Sequence, residues 1–404
     1  MLKKEFIEKT ISLIRYKEIR SEIEKELDSH IEDLKKDYAE NNSNISPEKI
    51  EESVIEQMGD VNTIAHDFNK VYKPKYDWLL NIVSIILLLI GLFVSSSLVK
   101  QHLIPNIDMK SISLVLLSIF IGILININNY KITEKFSIQL FIITFGITLL
   151  SLFFSIISDF YILILVSYII SYSGLLNKTK SKLYISLITI VSLLSVIALG
   201  KISLILLCVS YVVISISQVK INKKILASIL CITSVVLCLL VIFSGDIAKQ
   251  RLEAYFNPEL SSQDDGYIYI MKNKLLSNSK FIGKSNLNAE EYIGRLSDDN
   301  IFTYIITNFG ILFGLVLTFL FCIFIFKLVT DAYKINDKYG RNVFFGCSIL
   351  IIFPVVLNIL NGLNLIPYMS LKLPFITMNT SSIVSNILTV SLLLSIYRRK
   401  NLTM

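Results

Sequence analysis

The residues with the most chemistry to offer lie between Asp246 and Asn300, the one long polar stretch set between hydrophobic runs. It closes on Arg295-Leu-Ser-Asp298-Asp299-Asn-Ile-Phe302, so two adjacent carboxylates stand where the chain re-enters an apolar run. Carboxylates at such a boundary are costly to desolvate and call for a partner or a task. One use is to cap the next helix by accepting its orphan backbone N–H groups. The other is general-base chemistry, with a carboxylate taking the proton of an attacking hydroxyl. The same stretch carries Lys272, Lys274, Lys280 and Lys284 as a basic middle. Ahead of them, Arg251-Leu-Glu-Ala-Tyr-Phe-Asn-Pro258 has the pattern of a short amphipathic helix lying along a membrane interface. Cations beside a membrane suit phosphates, a lipid pyrophosphate included, although charge also serves simply to keep a loop solvated.

What must position these groups is a membrane scaffold. The chain has 404 residues, 53% of them hydrophobic and 18% charged, more apolar surface than a soluble domain of that length can bury. Residues 1–77 carry 13 Lys/Arg against 18 Asp/Glu, while the whole chain is at +7, so the remainder is strongly basic. That asymmetry implies an acidic solvated head and basic membrane loops, and excludes a nucleic-acid binder. The five cysteines lie in hydrophobic runs without ligand spacing, and His30, His66 and His102 are scattered, so no metal or cofactor site is encoded. The first hydrophobic run begins near Trp78, which argues against a cleavable signal peptide.

Residues 1–76 read as a small helical domain. Ile19, Ile23, Leu27, Ile31, Leu34 and Tyr38 recur at spacings of three and four. Ser46-Pro47 is a helix start, Ile50, Val54 and Met58 continue that helix, Gly59 ends it, and Asp60 caps a last helix bearing Ile64, Phe68 and Val71. From Trp78 onward ten spans are expected, at about 78–99, 111–128, 136–157, 160–176, 183–200, 202–219, 224–245, 301–327, 343–363 and 382–397. With the N-terminus inside, Lys131, Lys135, Lys178, Lys180, Lys182, Lys220, Lys223, Lys224, Lys334, Lys338, Arg341 and the Arg398-Arg-Lys400 tail all fall on the cytoplasmic side. Only Lys100, Lys110, Lys201 and Lys372 occupy short outer loops. This bias predicts cytoplasmic termini and an extracellular loop 246–300. The fold expected is all-α, a polytopic membrane protein with a small N-terminal helical domain (1–76) and a ten-span membrane domain (78–397).

Two resemblances refine this. The opening EFIEKTISLIRYKEIRSEIEKEL, then HIEDLKKDY, EQMGD and Tyr72-Lys-Pro-Lys-Tyr-Asp-Trp78 resemble the permease prefix domain, which implies a cytoplasmic accessory module without enzymatic activity. Leu373-Pro-Phe-Ile-Thr-Met-Asn-Thr-Ser-Ser382 is similar to the LPFISYGGSS motif of the SEDS family (FtsW/RodA/SpoVE), with Asn358 and Pro367 matching residues ahead of that motif. Asp299-Asn-Ile-Phe302 through Gly310 resembles the family's TDFIF…LG, and Arg251, Pro258, Gly266-Tyr267 and Gly283-Lys284 echo its outer loop. Asn379 and Thr380 replace two family glycines, and Ile306-Thr-Asn-Phe-Gly310 lacks the glutamates of the family's GEELG.

The SEDS resemblance implies a membrane-embedded, inverting glycosyltransferase that polymerises lipid II into peptidoglycan. It implies Asp299 as the general base, with Asp298 as its auxiliary acid. Arg251, Lys272, Lys274 and Lys284 become candidates for the pyrophosphate, a role also open to a divalent cation, Mg or Mn, bound with it. Asn358, Pro367, Pro374, Thr377, Ser381 and Ser382 are expected to shape the substrate cavity. A penicillin-binding protein is the expected partner. The lost glutamates and glycines leave a second class open: a non-catalytic member that binds a lipid-linked precursor or partner and reports through the prefix domain. A precursor flippase is the third, disfavoured by the few ionisable residues expected inside the spans.

Overall fold

Three- and four-residue apolar spacing has become helix along the chain, and no strand occurs among the described residues. The structure, a computed structural model, describes residues 2–41, 47–100, 109–178, 181–217, 231–235, 249–261, 266–287 and 298–402. They form two compact units: Met1–Tyr76 with Lys334–Asp337 and Tyr397–Met404, and Asp77–Tyr333 with Lys338–Ile396.

The first unit holds α1 (Lys3–Leu13), α2 (Arg20–Asn41), α3 (Pro47–Met58) and α4 (Val61–Val71). Ile19, Ile23, Leu27 and Ile31 bury one stripe against Phe6 and Val54. Burial of such side chains contributes about 1.5–3 kcal/mol each, which makes this stripe the main source of the unit's cohesion. Between α3 and α4, Gly59 adopts φ +92°, the left-handed conformation that suits glycine after a helix. The Asp60 carboxylate then caps α4, accepting from the N–H groups of Asn62 (3.1 Å) and Thr63 (3.3 Å). In α4 the buried residue is Ala65, and Val71, expected on the apolar face, is 59% exposed at the helix end. Ser46 lies outside the described residues.

The second unit is an all-α membrane domain. Among the described residues six helices are long and apolar enough to cross a bilayer: α5 (Trp78–Lys100), α6 (Met109–Ile127), α8 (Tyr161–Lys178), α13 (Ile311–Tyr333), α14 (Lys338–Gly362) and α15 (Thr380–Arg398). Three shorter apolar helices, α7 (Ser137–Leu150), α9 (Lys182–Val196) and α10 (Lys201–Ser217), complete nine of the ten expected runs. The seventh, 224–245, lies outside the described residues apart from 231–235, which are helical.

The eighth run departs from expectation. In place of one helix over 301–327, the chain forms α12 (Ile301–Phe309) and α13, broken at Gly310 with φ +99°. A Cβ on Gly310 would lie 2.8 Å from the backbone of Phe281 and Ile282, so only glycine lets the polar loop pass here. The loop is laced to the break by backbone bonds from Gly283 N to Phe309 O (3.2 Å), Ser285 N to Thr307 O (2.8 Å) and Ile311 N to Lys280 O (3.0 Å). Because α13 runs on to Tyr333, past the expected end at 327, it also carries Asp331. The Lys327 ammonium lies 2.5 Å from Asp77 and 3.1 Å from Asp331, both buried.

Candidate functional site

The site is assembled where the polar loop before residue 300, the broken eighth helix and the C-terminal end of α14 converge. The loop contributes α11 (Tyr267–Ser277), whose buried residues Tyr269, Lys272 and Leu275 recur every third position on one face. Helix α14 contributes Asn358 and Asn361 near its end, and Asn364 follows in the turn just beyond it. The turn after α14 contributes Tyr368 and Ser370.

Asp299 sits at the centre, 7% exposed. Its carboxylate does not cap α12: the N-cap position is Asn300, and no side-chain cap bond is made there. Instead Oδ2 accepts from the Tyr368 hydroxyl (2.7 Å) and the Ser370 hydroxyl (2.8 Å). Its backbone carbonyl accepts from Asn361 Nδ2 (3.0 Å) and Asn358 Nδ2 (3.3 Å). Asn358 Nδ2 also donates to Leu371 O (2.5 Å), drawing the 368–371 segment over the carboxylate. Four residues thus hold one aspartate by both its backbone and its side chain. Such bracing fixes the direction in which a carboxylate acts.

Lys272 lies behind this arrangement. It is fully buried, its ammonium donating to Asn361 O (3.1 Å) and Asn361 Oδ1 (3.0 Å) and standing 5.4 Å from the centre of the Tyr368 ring. Burial pushes the amine down from 10.5 to about 8, against the pull of the Asp299 carboxylate, which favours the charged form. Asn361 therefore passes a charged donor on one side to the backbone of Asp299 on the other. Tyr269 closes the arrangement, its hydroxyl accepting from Tyr368 N (2.9 Å), while Asn364 Nδ2 bonds Asn273 Oδ1 (2.9 Å).

Of the residues singled out in the sequence, Asp299, Lys272 and Asn358 are brought together, and half-buried Pro367 opens the segment that covers them. Arg251, Lys274 and Lys284 are exposed on the polar loop. The Asp298 side chain lies outside the described residues. Pro374, Thr377, Ser381 and Ser382 are buried in a neighbouring cluster at the start of α15. There Asn379 Oδ1 accepts from Ser381 N (3.0 Å), so the residue replacing a glycine serves as the helix cap. Ser381 Oγ donates to Asp159 O (3.0 Å) just before α8, whose first residue, Tyr161, is within electrostatic reach of Asp299. The segment before α15 passes close to α5 because Gly91 has no side chain: a Cβ there would lie 2.2 Å from Phe375 O.

Tyr368, Ser370, Asn361 and Tyr269 were not anticipated. Their one sequence signal was the run of polar side chains, Asn358, Asn361 and Asn364, at helical spacing in an otherwise apolar stretch. Among the described residues, no three His, Cys, Asp or Glu side chains group closely enough to hold a metal ion.

The sequence profile of the FtsW/RodA/SpoVE cell cycle protein family matches residues 160–402, more than half of the chain. The probable peptidoglycan glycosyltransferase FtsW of Geobacter sulfurreducens is 24% identical over 161 residues, 39% of this chain and 43% of that protein. The corresponding protein of Caulobacter vibrioides is 27% identical over 111 residues, 28% of each chain. These matches span less than half the length of either relative. Among solved structures, a chain from a peptidoglycan synthase complex coordinating polymerization and crosslinking superposes with a TM-score of 0.61 at 13% identity, covering 80% of this chain and 98% of that one. The rod shape determining protein RodA of Thermus thermophilus superposes at 0.52 with 14% identity, covering 80% and 97%. At those identities the likeness is one of fold, and the profile match carries the assignment: the chain belongs to the FtsW/RodA/SpoVE (SEDS) family.

Proposed function

We propose that this chain is a membrane-embedded peptidoglycan glycosyltransferase that polymerises lipid II, with Asp299 as its general base. The observation that carries the reading is the bracing of Asp299. A carboxylate that only capped a helix would need no hydroxyls from Tyr368 and Ser370 and no amides from Asn358 and Asn361. With both hydroxyls on Oδ2, Oδ1 is the oxygen turned to an acceptor sugar hydroxyl. That hydroxyl gives its proton to Asp299 as its oxygen bonds to the anomeric carbon, and the bond from that carbon to the lipid pyrophosphate breaks with inversion. Arg251, Lys274 and Lys284, exposed on the outer loop, suit the charge developing on the pyrophosphate.

A divalent cation, Mg or Mn, would be held by the pyrophosphate oxygens and not by Asp299, whose Oδ2 takes the two hydroxyls and whose Oδ1 serves the acceptor. Such an ion would supply charge neutralisation at the leaving group. A penicillin-binding protein is the proposed partner, in keeping with the synthase complex among the structural relatives.

The reading is tested by following polymerisation of labelled lipid II by a Tyr368→Phe variant. Loss of one hydrogen bond to a charged group, about 1.5–3 kcal/mol, corresponds to a turnover roughly 10–100-fold lower with expression unchanged. Turnover equal to wild type would remove the bracing argument.

The orientation proposed has loop 246–300 outside and both termini in the cytoplasm. In a chain with its native cysteines replaced, Ser277→Cys should react with a membrane-impermeant maleimide in intact cells, and Glu40→Cys only after lysis. Both positions are exposed. Reaction of Glu40→Cys in intact cells contradicts the orientation.

A further inference from the structure

The N-terminal helices carry a cleft of about 670 Å³ on their own surface, bounded by α1, α3 and the start of α4. That volume is in the range of a ligand cleft. Its floor is apolar, made by Phe6, Leu13, Ile55 and Val61. Phe6 and Ile55 belong to the buried core, whereas Leu13 is 45% exposed and offers apolar surface to whatever lies in the cleft. The lining residues recur at three- and four-residue spacing: Phe6, Lys9 and Leu13 along α1, then Glu52, Ile55 and Gly59 along α3 and its end. The cleft therefore follows about two turns of each helix, roughly 10 Å at a rise of 1.5 Å per residue.

The rim of the cleft is acidic. Glu52 and Glu56 are exposed and stand four residues apart on α3, where like charges repel. Their neighbour Glu51 is compensated, accepting from Lys35 Nζ (2.6 Å) and from Lys3 N (2.7 Å). Among the described residues no basic side chain is paired with Glu52 or Glu56. Asp60, the cap of α4, adds a third carboxylate, and the cation in the lining, Lys9, is paired with Glu5 (2.9 Å). An apolar strip flanked by uncompensated carboxylates is the complement of a helix whose apolar side chains are flanked by Lys or Arg. Anionic lipid headgroups have the wrong sign for it. We propose that this cleft is a docking site for a basic amphipathic helix of a partner protein. Its apolar side chains lie over Leu13 and Ile55, and its cations face Glu52, Glu56 and Asp60. The inference concerns α1, α3 and α4 alone and holds whether or not the chain polymerises lipid II.

The test is fluorescence anisotropy, with the full-length chain in zwitterionic nanodiscs titrated into a labelled synthetic peptide, KALKKLLKALKK, at fixed salt. Saturable binding is expected beyond that of empty nanodiscs. Glu52→Lys combined with Glu56→Lys should weaken it about tenfold, because two attractive pairs become repulsive. Glu24→Lys combined with Asp33→Lys, at exposed positions of α2 outside the cleft, makes the same change of net charge. That control should weaken binding less than about threefold, since charges away from the contact are screened. Leu13→Ala removes apolar contact without touching charge and should weaken binding about fivefold. Bound peptide should also slow hydrogen exchange in 3–13 and 47–62 and leave 20–41 unchanged. Absence of saturable binding to the wild type, equal weakening by the two charge-reversed pairs, or protection of 20–41 in place of the cleft overturns the proposal.

Discussion

Asp299→Asn is expected to lower lipid II polymerisation by roughly 10²–10⁴-fold, the usual contribution of a positioned base, while the protein expresses and melts as wild type. The substitution keeps the size of the side chain and an oxygen able to accept from Tyr368 and Ser370, and removes only the basicity. Folding should be preserved because the backbone carbonyl of residue 299, held by Asn358 and Asn361, is untouched. Asp298→Asn is the paired control, removing a like charge at the same boundary, and should retain most of the activity. Near-wild-type turnover in both variants would leave the binder reading in possession of the site.

The second large effect concerns Lys272. Lys272→Met is expected to destabilise the loop that carries α11 by about 1–3 kcal/mol at pH 7, since Asn361 O and Oδ1 lose their charged donor in a buried place. Differential exchange of residues 266–287 measures this. Its pH dependence carries a sign. In the folded chain the amine titrates near 8, against 10.5 for an unperturbed lysine, so between those values the unfolded state binds more protons. Stability should therefore rise with pH from about 8 to 10.5, by at most about 3 kcal/mol, and this increment should vanish in Lys272→Met. A wild-type profile that falls across that window contradicts the burial of the ammonium.

Lys272 also illustrates how far the sequence could be read. Its charge in a loop beside the membrane pointed to a phosphate ligand, yet it is an internal strut joining α11 to α14. Composition cannot distinguish the two, because a buried lysine and a solvated one differ only in what folds over them. The helices were legible because apolar length and periodicity are local properties, as were the Gly59 stop and the Asp60 cap. The break at Gly310 was not, since hydrophobicity runs unbroken from Ile301 past Ile311 and only the loop packed against Gly310 explains it. The Asp298-Asp299 pair stood out at a membrane boundary, and only the resemblance to the family motif singled out Asp299. Its partners Tyr368 and Ser370 lie 69 and 71 residues away, a separation at which no local pattern operates.

The measurement closest to the central claim is a direct one. The purified full-length chain, in detergent with Mg or Mn, is incubated with fluorescent lipid II and the products are resolved by gel electrophoresis. The wild-type chain should give a ladder of glycan strands that is absent from the Asp299→Asn sample. Unchanged lipid II in the wild-type lane, both alone and with a penicillin-binding protein added, would contradict it.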